Sequence, residues 1–287
     1  MKGFRMLKHV SISWLVFLGL TLGCFRDLSE GSPNPGVRFN KHAEVFGIDI
    51  YATPKTGNDK IIHAANVLAE YLDSDEDGVP NNQEVVDFLV EDNSVLLMTQ
   101  TELEFEQIAW DLVPDHGFGQ GLYDDETHPD GAAQGIFDAS LEEVLHLVTW
   151  GYINVYPEVF GDFPGSQIAL AMDEARGGHF EQVPDAYPQD AWYTYYDETC
   201  DYGCQIFEYF YWALTSILGA QDFPGRLEQI DDEWRLNTLE KVMVGDPAIY
   251  ALMTDPLLQP PTQLPDGKYN AQTFSVKLLS KGGVIRR

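Results

Sequence analysis

Twelve consecutive residues, Asp73-Ser74-Asp75-Glu76-Asp77-Gly78-Val79-Pro80-Asn81-Asn82-Gln83-Glu84, constrain this 287-residue chain more than any other stretch. Alternate residues of a turn point their oxygens inward, and a hard cation needs six to eight oxygens. Gly78 falls where such a chain must turn sharply, with a φ that only glycine adopts cheaply. Upstream, Ile61, Ala65, Leu68 and Leu72 recur at steps of four, three and four, so Asp59 to Leu72 is predicted as a helix with one apolar face. A second helical pattern runs from Gln83 to Val90. The expectation is helix, acidic turn, helix. The competing reading is an acidic solvated turn, or a helix N-terminus that attracts carboxylates.

The stretch resembles the EF-hand calcium loop at every liganding position. By that resemblance Asp73, Asp75 and Asp77 supply carboxylate oxygens at loop positions one, three and five. Val79 offers its backbone carbonyl at seven, Asn81 acts at nine directly or through water, and Glu84 closes the site as a bidentate ligand at twelve. Pro80 departs from the pattern. It sits at position eight, where the backbone usually bonds to a partner loop, and proline has no N–H. The chain holds no second loop of this type, so the resemblance implies a solitary, structural calcium site.

Charge narrows the partners. The chain carries 46 acidic against 17 basic side chains, a formal −29. Its first 24 residues hold three bases and no acid, so without them the balance is 14 − 46 = −32. Such a chain repels polyphosphate and anionic headgroups, which excludes nucleic acid as a partner and leaves the membrane only through an anchor. Apolar residues at 44% and aromatics at 13% suffice for a folded core.

Lys2, Arg5 and Lys8 precede an apolar run from Val10 to Leu22, too short for a comfortable membrane span. The run ends at Gly23-Cys24 and resembles a bacterial lipoprotein signal, although Thr21 stands where that family prefers leucine. The resemblance implies export to the cell envelope with lipid on Cys24. An ordinary secretory signal would release the chain outside the cell instead. Cys200 and Cys204 lie four apart around Gly203, which supplies the bend of a short bridge, and an exported chain should oxidise them. Cys24 is then left over for lipid. A zinc site on Cys200 and Cys204 is the alternative.

The chain divides into a signal peptide (1–24), a flexible tether (25–36), a strand with the calcium region (37–100), a mainly helical body (101–255) and a proline-containing extended tail (256–287). Phe46 to Ala52 and Val95 to Thr99 read as strands. Residues 114–135, rich in Gly and Asp, read as a long irregular loop, and loops of that length are often functional. Helices are expected at Ser140 to Trp150, Gln167 to Arg176 and Gln205 to Leu218. Lys277 to Arg287 reads as a frayed basic tail. The fold class is α+β, helix-dominant: an EF-hand-like helix-loop-helix joined to a helical body with a small zincin-like sheet as a candidate.

Within Ser140 to Thr149, Glu142 and His146 share a helical face at i and i+4, as do Glu143 and His146 at i and i+3. Asp138 or Ser140 would cap that helix. Glu208 stands alone in the second strongly apolar helix. Together these segments resemble the two metal-bearing helices of gluzincin peptidases. The resemblance implies zinc on His146 and Glu208, with Glu143 as general base. Glu142 stands where that family has its first histidine. A glutamate there adds negative charge that weakens the Lewis acidity of zinc. The residues alone leave other readings open: carboxylates complementing a helix dipole, a core histidine, Glu208 paired with Arg176 or Arg226, or an iron or manganese site. His116, His128 and His179 are further candidate ligands and equally ordinary turn histidines. Tyr187 to Trp212 holds eleven aromatic residues in twenty-six. Phe207, Phe210, Tyr211 and Leu214 read as a buried stripe. Trp192, Tyr193, Tyr195 and Tyr196 read as core or as a binding platform.

The sequence thus leads to an exported, calcium-binding lipoprotein with a degenerate zincin-like metal centre, for which zinc is the candidate ion. A zinc-dependent peptidase-like hydrolase, or a non-catalytic adhesion or carbohydrate-binding surface protein, are the alternatives.

Overall fold

The computed structural model describes residues 38–108 and 116–279. The signal segment, the tether, Cys24 and the last eight residues of the tail lie outside them. The described residues form an α+β fold in which helix dominates. Strands β1 (Lys41–Val45) and β2 (Ile48–Ala52) form a hairpin, followed by α1 (Asn58–Leu72), the acidic loop and α2 (Gln83–Glu91). Next come β3 (Val95–Thr99), α3 (Glu102–Glu106) and β4 (Gly119–Tyr123). The helical body holds α4 (Ser140–Val155), α5 (Pro157–Phe160), α6 (Gln167–Ala175), α7 (Tyr202–Leu218), α8 (Arg226–Ile230), α9 (Leu239–Gly245) and α10 (Pro247–Met253). The last element is β5 (Lys277–Leu278).

The sheet order is β4-β3-β2-β1-β5. Strands β2, β3 and β4 run parallel, whereas β1 is antiparallel to both β2 and β5. All five residues of β3 are buried because helices or loops cover both sheet faces. Leu96 and Met98 join the main core. Val95 and Leu97 join Tyr51, Phe105 and Ile108 on the other face.

Three expectations change. Phe46 and Gly47 are the turn of the first hairpin, both at positive φ (50° and 87°), so the strand begins at Ile48. The two-residue turn with both φ positive matches the right-handed twist of its strands. The loop expected over 114–135 contains β4. Its glycines hid the strand, and Gly121 is needed because a Cβ there would lie 3.1 Å from the Phe105 ring. Lys277 and Leu278 are not frayed but pair with His42 and Lys41.

Helix α4 is the hub. Helices α1, α2 and α7 and strand β4 all pack on it. At Gly151 a Cβ would come within 2.7 Å of Val85, so glycine lets α2 approach. The residue before its N-cap ties it to α1 through a buried hydrogen bond between His63 Nε2 and Asp138 Oδ2 at 2.6 Å. Asp138 Oδ1 accepts from the Ser140 and His128 backbone N–H groups. Burial opposes ionisation of Asp138, but its hydrogen bond and charge contact with His63 hold the carboxyl below its usual range.

Beyond Met253 the chain has little regular structure, yet it is anchored as a strap. Asn82 Nδ2 donates to the Leu258 carbonyl, the Gly267 and Lys268 amides donate to Glu70, and Tyr269 and Phe274 are buried. No helix of the described residues is long and apolar enough to cross a membrane.

Candidate metal centres

The acidic loop joins α1 to α2, and both ends are fixed by backbone. The Asp73 amide donates to the Ala69 carbonyl as α1 ends, and the Asn81 amide donates to the Leu72 carbonyl. Asn82 caps α2 by accepting from the Val85 amide. Gly78 has φ +90°, as its place in the turn demands. One carboxylate oxygen each from Asp73, Asp75 and Asp77 falls within 4.8 Å of the others.

Asp73 is fully buried. Its Oδ2 accepts from the Gly78 amide at 2.8 Å and from the Tyr269 hydroxyl, while Oδ1 is buried with no hydrogen-bond partner. Asp75 and Asp77 are exposed. Asn81 Nδ2 donates to Asp75 Oδ1 at 3.0 Å, which lowers the Asp75 pKa. The side-chain oxygen of Asn81 accepts from the Ser74 amide at 2.5 Å, so Asn81 orders the loop from within. Glu84 is exposed in the first turn of α2 and stands outside the three-carboxylate group. Val79 is 59% exposed.

The second group brings together three expected residues from two helices. Donor atoms of Glu142, His146 and Glu208 lie within 4.8 Å of one another. His146 Nε2 is 3.8 Å from Glu208 Oε2, and His146 Nδ1 is 3.7 Å from Glu143 Oε2. His146, Glu143 and Glu208 are buried. Helical spacing explains the α4 part, since positions i and i+4 share a face. Burial of the apolar face of α7 against α4 brings Glu208 in.

Neighbours fix these groups. Gln120 on β4 donates from Nε2 to Glu143 Oε2. The Tyr211 hydroxyl accepts from Gln221 and hydrogen-bonds Glu142. Burial, then the Glu142 charge, pushes the Tyr211 pKa well up, so it stays a donor. Tetrahedral zinc, with bonds near 2.0–2.2 Å, spaces its donors by about 3.4 Å. Two carboxylates and one imidazole at the observed separations therefore fit zinc with small side-chain shifts.

Glu142, Glu143 and Glu208 line a cavity of about 470 Å³. Glu126, Asp232 and Glu233 add carboxylates to its wall, Tyr195 and Trp212 add aromatic surface, and Arg226 adds a cation. Glu126 is pushed up to about 8 by burial and then by the Glu143 charge. Burial and the Glu208 charge likewise raise the Tyr195 pKa. Gln120 and Glu126 were not named as site residues because isolated side chains carry no spacing signal, whereas Tyr195 was read as core or binding platform and Arg226 as a partner for Glu208. Gln120 and Glu126 lay in the long loop over 114–135, and Tyr195 in the aromatic stretch from Tyr187 to Trp212.

The remaining candidates scatter. His128 reaches the cavity wall. His179 is 44% exposed and bonds Asp173 at 2.7 Å. His116 packs beside Gly119. Cys200 and Cys204 form a disulfide with Cα atoms 5.2 Å apart, at the N-terminus of α7. Phe207, Phe210, Tyr211 and Leu214 are buried as expected, and so are Tyr193 and Tyr195. Trp192 is partly buried and donates to Asp246, whereas Tyr196 is 53% exposed. Arg176 is held by Asp173 and Gln205, and Glu208 Oε2 lies 3.8 Å from His146 Nε2.

Comparisons with protein-family models, with curated proteins and with solved structures found no match to this chain.

Proposed function

We propose that this chain is an exported, calcium-stabilised, metal-dependent hydrolase that acts on peptide bonds. One observation carries the reading: Glu142, His146 and Glu208 converge on a common point beside a cavity, with Glu143 alongside. A metal held there by these three residues would act as a Lewis acid, polarising a carbonyl and making water more acidic. The chain's own groups do the rest. Glu143 takes the proton of the attacking water and passes it to the leaving amine, and Gln120 holds Glu143 in place for both transfers. Tyr195, kept protonated, offers a hydroxyl to negative charge on the substrate oxygen.

The calcium role rests on Asp73, whose buried Oδ1 lacks a hydrogen bond while two other carboxylates stand beside it. A buried carboxylate oxygen without a partner is costly, and a cation removes that cost. Calcium there would hold α1 and α2, and the strap, against α4.

The test is elemental analysis of the secreted protein together with hydrolysis of casein and a peptide library. Stoichiometric zinc or another transition metal, with activity lost in Glu143→Gln but metal retained, supports the reading. Metal-free protein that takes up no transition metal on titration removes it.

A further inference from the structure

We infer that Arg226 is the anion-recognition residue of the cavity and takes the free C-terminal carboxylate of a peptide. The inference rests on the hydrolase reading for its context. Its own basis is the state of one guanidinium.

Arg226, the first residue of α8, is only 8% exposed and lines the cavity shared with Glu142, Glu143 and Glu208. Nε donates to Gln221 Oε1 at 2.7 Å and Nη1 donates to Gln229 Oε1 at 3.4 Å. The guanidinium lies 4.2 Å over the Phe137 ring and 5.7 Å from the Trp212 ring. Among the described residues it makes no ion pair with a carboxylate, and its Nη2 makes no hydrogen bond.

This is an unusual state in a wall that carries six carboxylates, Glu126, Glu142, Glu143, Glu208, Asp232 and Glu233. A buried cation is normally paired, because leaving it unpaired forfeits its hydration with nothing in return. Amide oxygens and ring faces hold this guanidinium away from the surrounding anions instead. The fork is thereby oriented and one edge remains available, which suits bidentate capture of a carboxylate.

Position favours the end of a peptide. Phe137, beneath the guanidinium, meets Tyr211 at 6.1 Å, and Tyr211 meets His146 at 5.8 Å. Arg226 is thus two aromatic rings from the metal ligands. The cavity volume suits a ligand the size of a small peptide. Among the residues that line the cavity Arg226 is the one arginine or lysine, set against six carboxylates, so it is the protein's own fixed cation for an anion there.

The test uses the full secreted chain with Glu143→Gln to prevent turnover, loaded with zinc, and titration calorimetry. The probes are acetyl-Ala-Ala-Phe, its C-terminal amide, and acetyl-Ala-Ala-Glu amide. The free acid should bind at least about 10-fold tighter than its amide, or roughly 1.4 kcal/mol. Arg226→Gln should abolish that difference while leaving the amide unchanged, and Arg226→Lys should restore only part of it. Unchanged cobalt uptake and melting temperature in the variants show that the site is intact. Equal binding of acid and amide, no binding of either, or a preference that survives Arg226→Gln overturns the inference. Arg226-dependent binding of the glutamyl amide alone overturns the C-terminal assignment in favour of a side-chain carboxylate. Cobalt uptake is read separately, so loss of the metal reading and loss of the Arg226 reading are told apart.

Discussion

The Tyr269 hydroxyl donates to Asp73 Oδ2 and so ties the C-terminal strap to the first acidic residue of the loop, 196 residues earlier. The Gly78 amide shares that oxygen, and Oδ1 is buried without a hydrogen-bond partner. Asn270 reinforces the contact by donating from its backbone and its side chain to Glu76. Loop and strap therefore stabilise each other.

Calcium should stabilise the fold. Extracellular sites bind with dissociation constants of about 0.1–1 mM, so 10 mM calcium should add about 1.4–2.7 kcal/mol. At about 2–4 °C per kcal/mol that is a rise of about 3–11 °C in Tm. Differential scanning calorimetry of the wild type and of Asp73→Ala with Glu84→Gln checks it, and the double variant should show no rise.

Tyr269→Phe removes one hydrogen bond to a carboxylate and should cost roughly 1.5–3 kcal/mol. The loss is local to the strap. Hydrogen exchange should speed up at the Gly267 and Lys268 amides, which donate to Glu70, before it changes in α4.

Gln120 should separate positioning from metal binding. Gln120→Ala leaves Glu142, His146 and Glu208 in place but frees Glu143. Turnover should fall about 10–100-fold with metal content and KM unchanged. His146→Ala should instead lose the metal. Inductively coupled plasma measurements alongside kinetics distinguish the two.

Acid should stabilise the metal-free protein. Burial raises Glu70 to about 7 and Glu126 to about 8, from 4.5. Each holds its proton more tightly when folded, so across pH 4.5–8 the folded state carries more protons than the unfolded chain. Stability is then greatest below the unfolded pKa and falls as pH rises through the folded values. Tm should drop between pH 6 and 8.5, and Glu70→Gln with Glu126→Gln should flatten the drop.

Much of this was legible because it repeats at short range. The amphipathic face of α1, the glycine at 78 and the i, i+4 pair Glu142 and His146 are local patterns, and each falls where its spacing put it. Strand β4 was not legible, since a strand with glycines at 119 and 121 looks like loop until Phe105 is seen packing on it. The strap was missed for a related reason. Its order comes from single hydrogen bonds to Glu70, Asp73 and Asn82, nearly two hundred residues away, and no local spacing encodes them. Arg226 was read in the sequence only as a partner for Glu208, because no local pattern shows that it makes no ion pair with the carboxylates around it.

Since α1 and α2 lean on the same helix that carries Glu142, Glu143 and His146, the two candidate metal sites have one scaffold in common. EDTA would strike it from both ends, drawing off one ion and slackening the support beneath the other. EGTA and 1,10-phenanthroline used in sequence pull these apart. Inactivation by EGTA that calcium reverses reports the scaffold, and inactivation by phenanthroline that zinc reverses reports the chemistry.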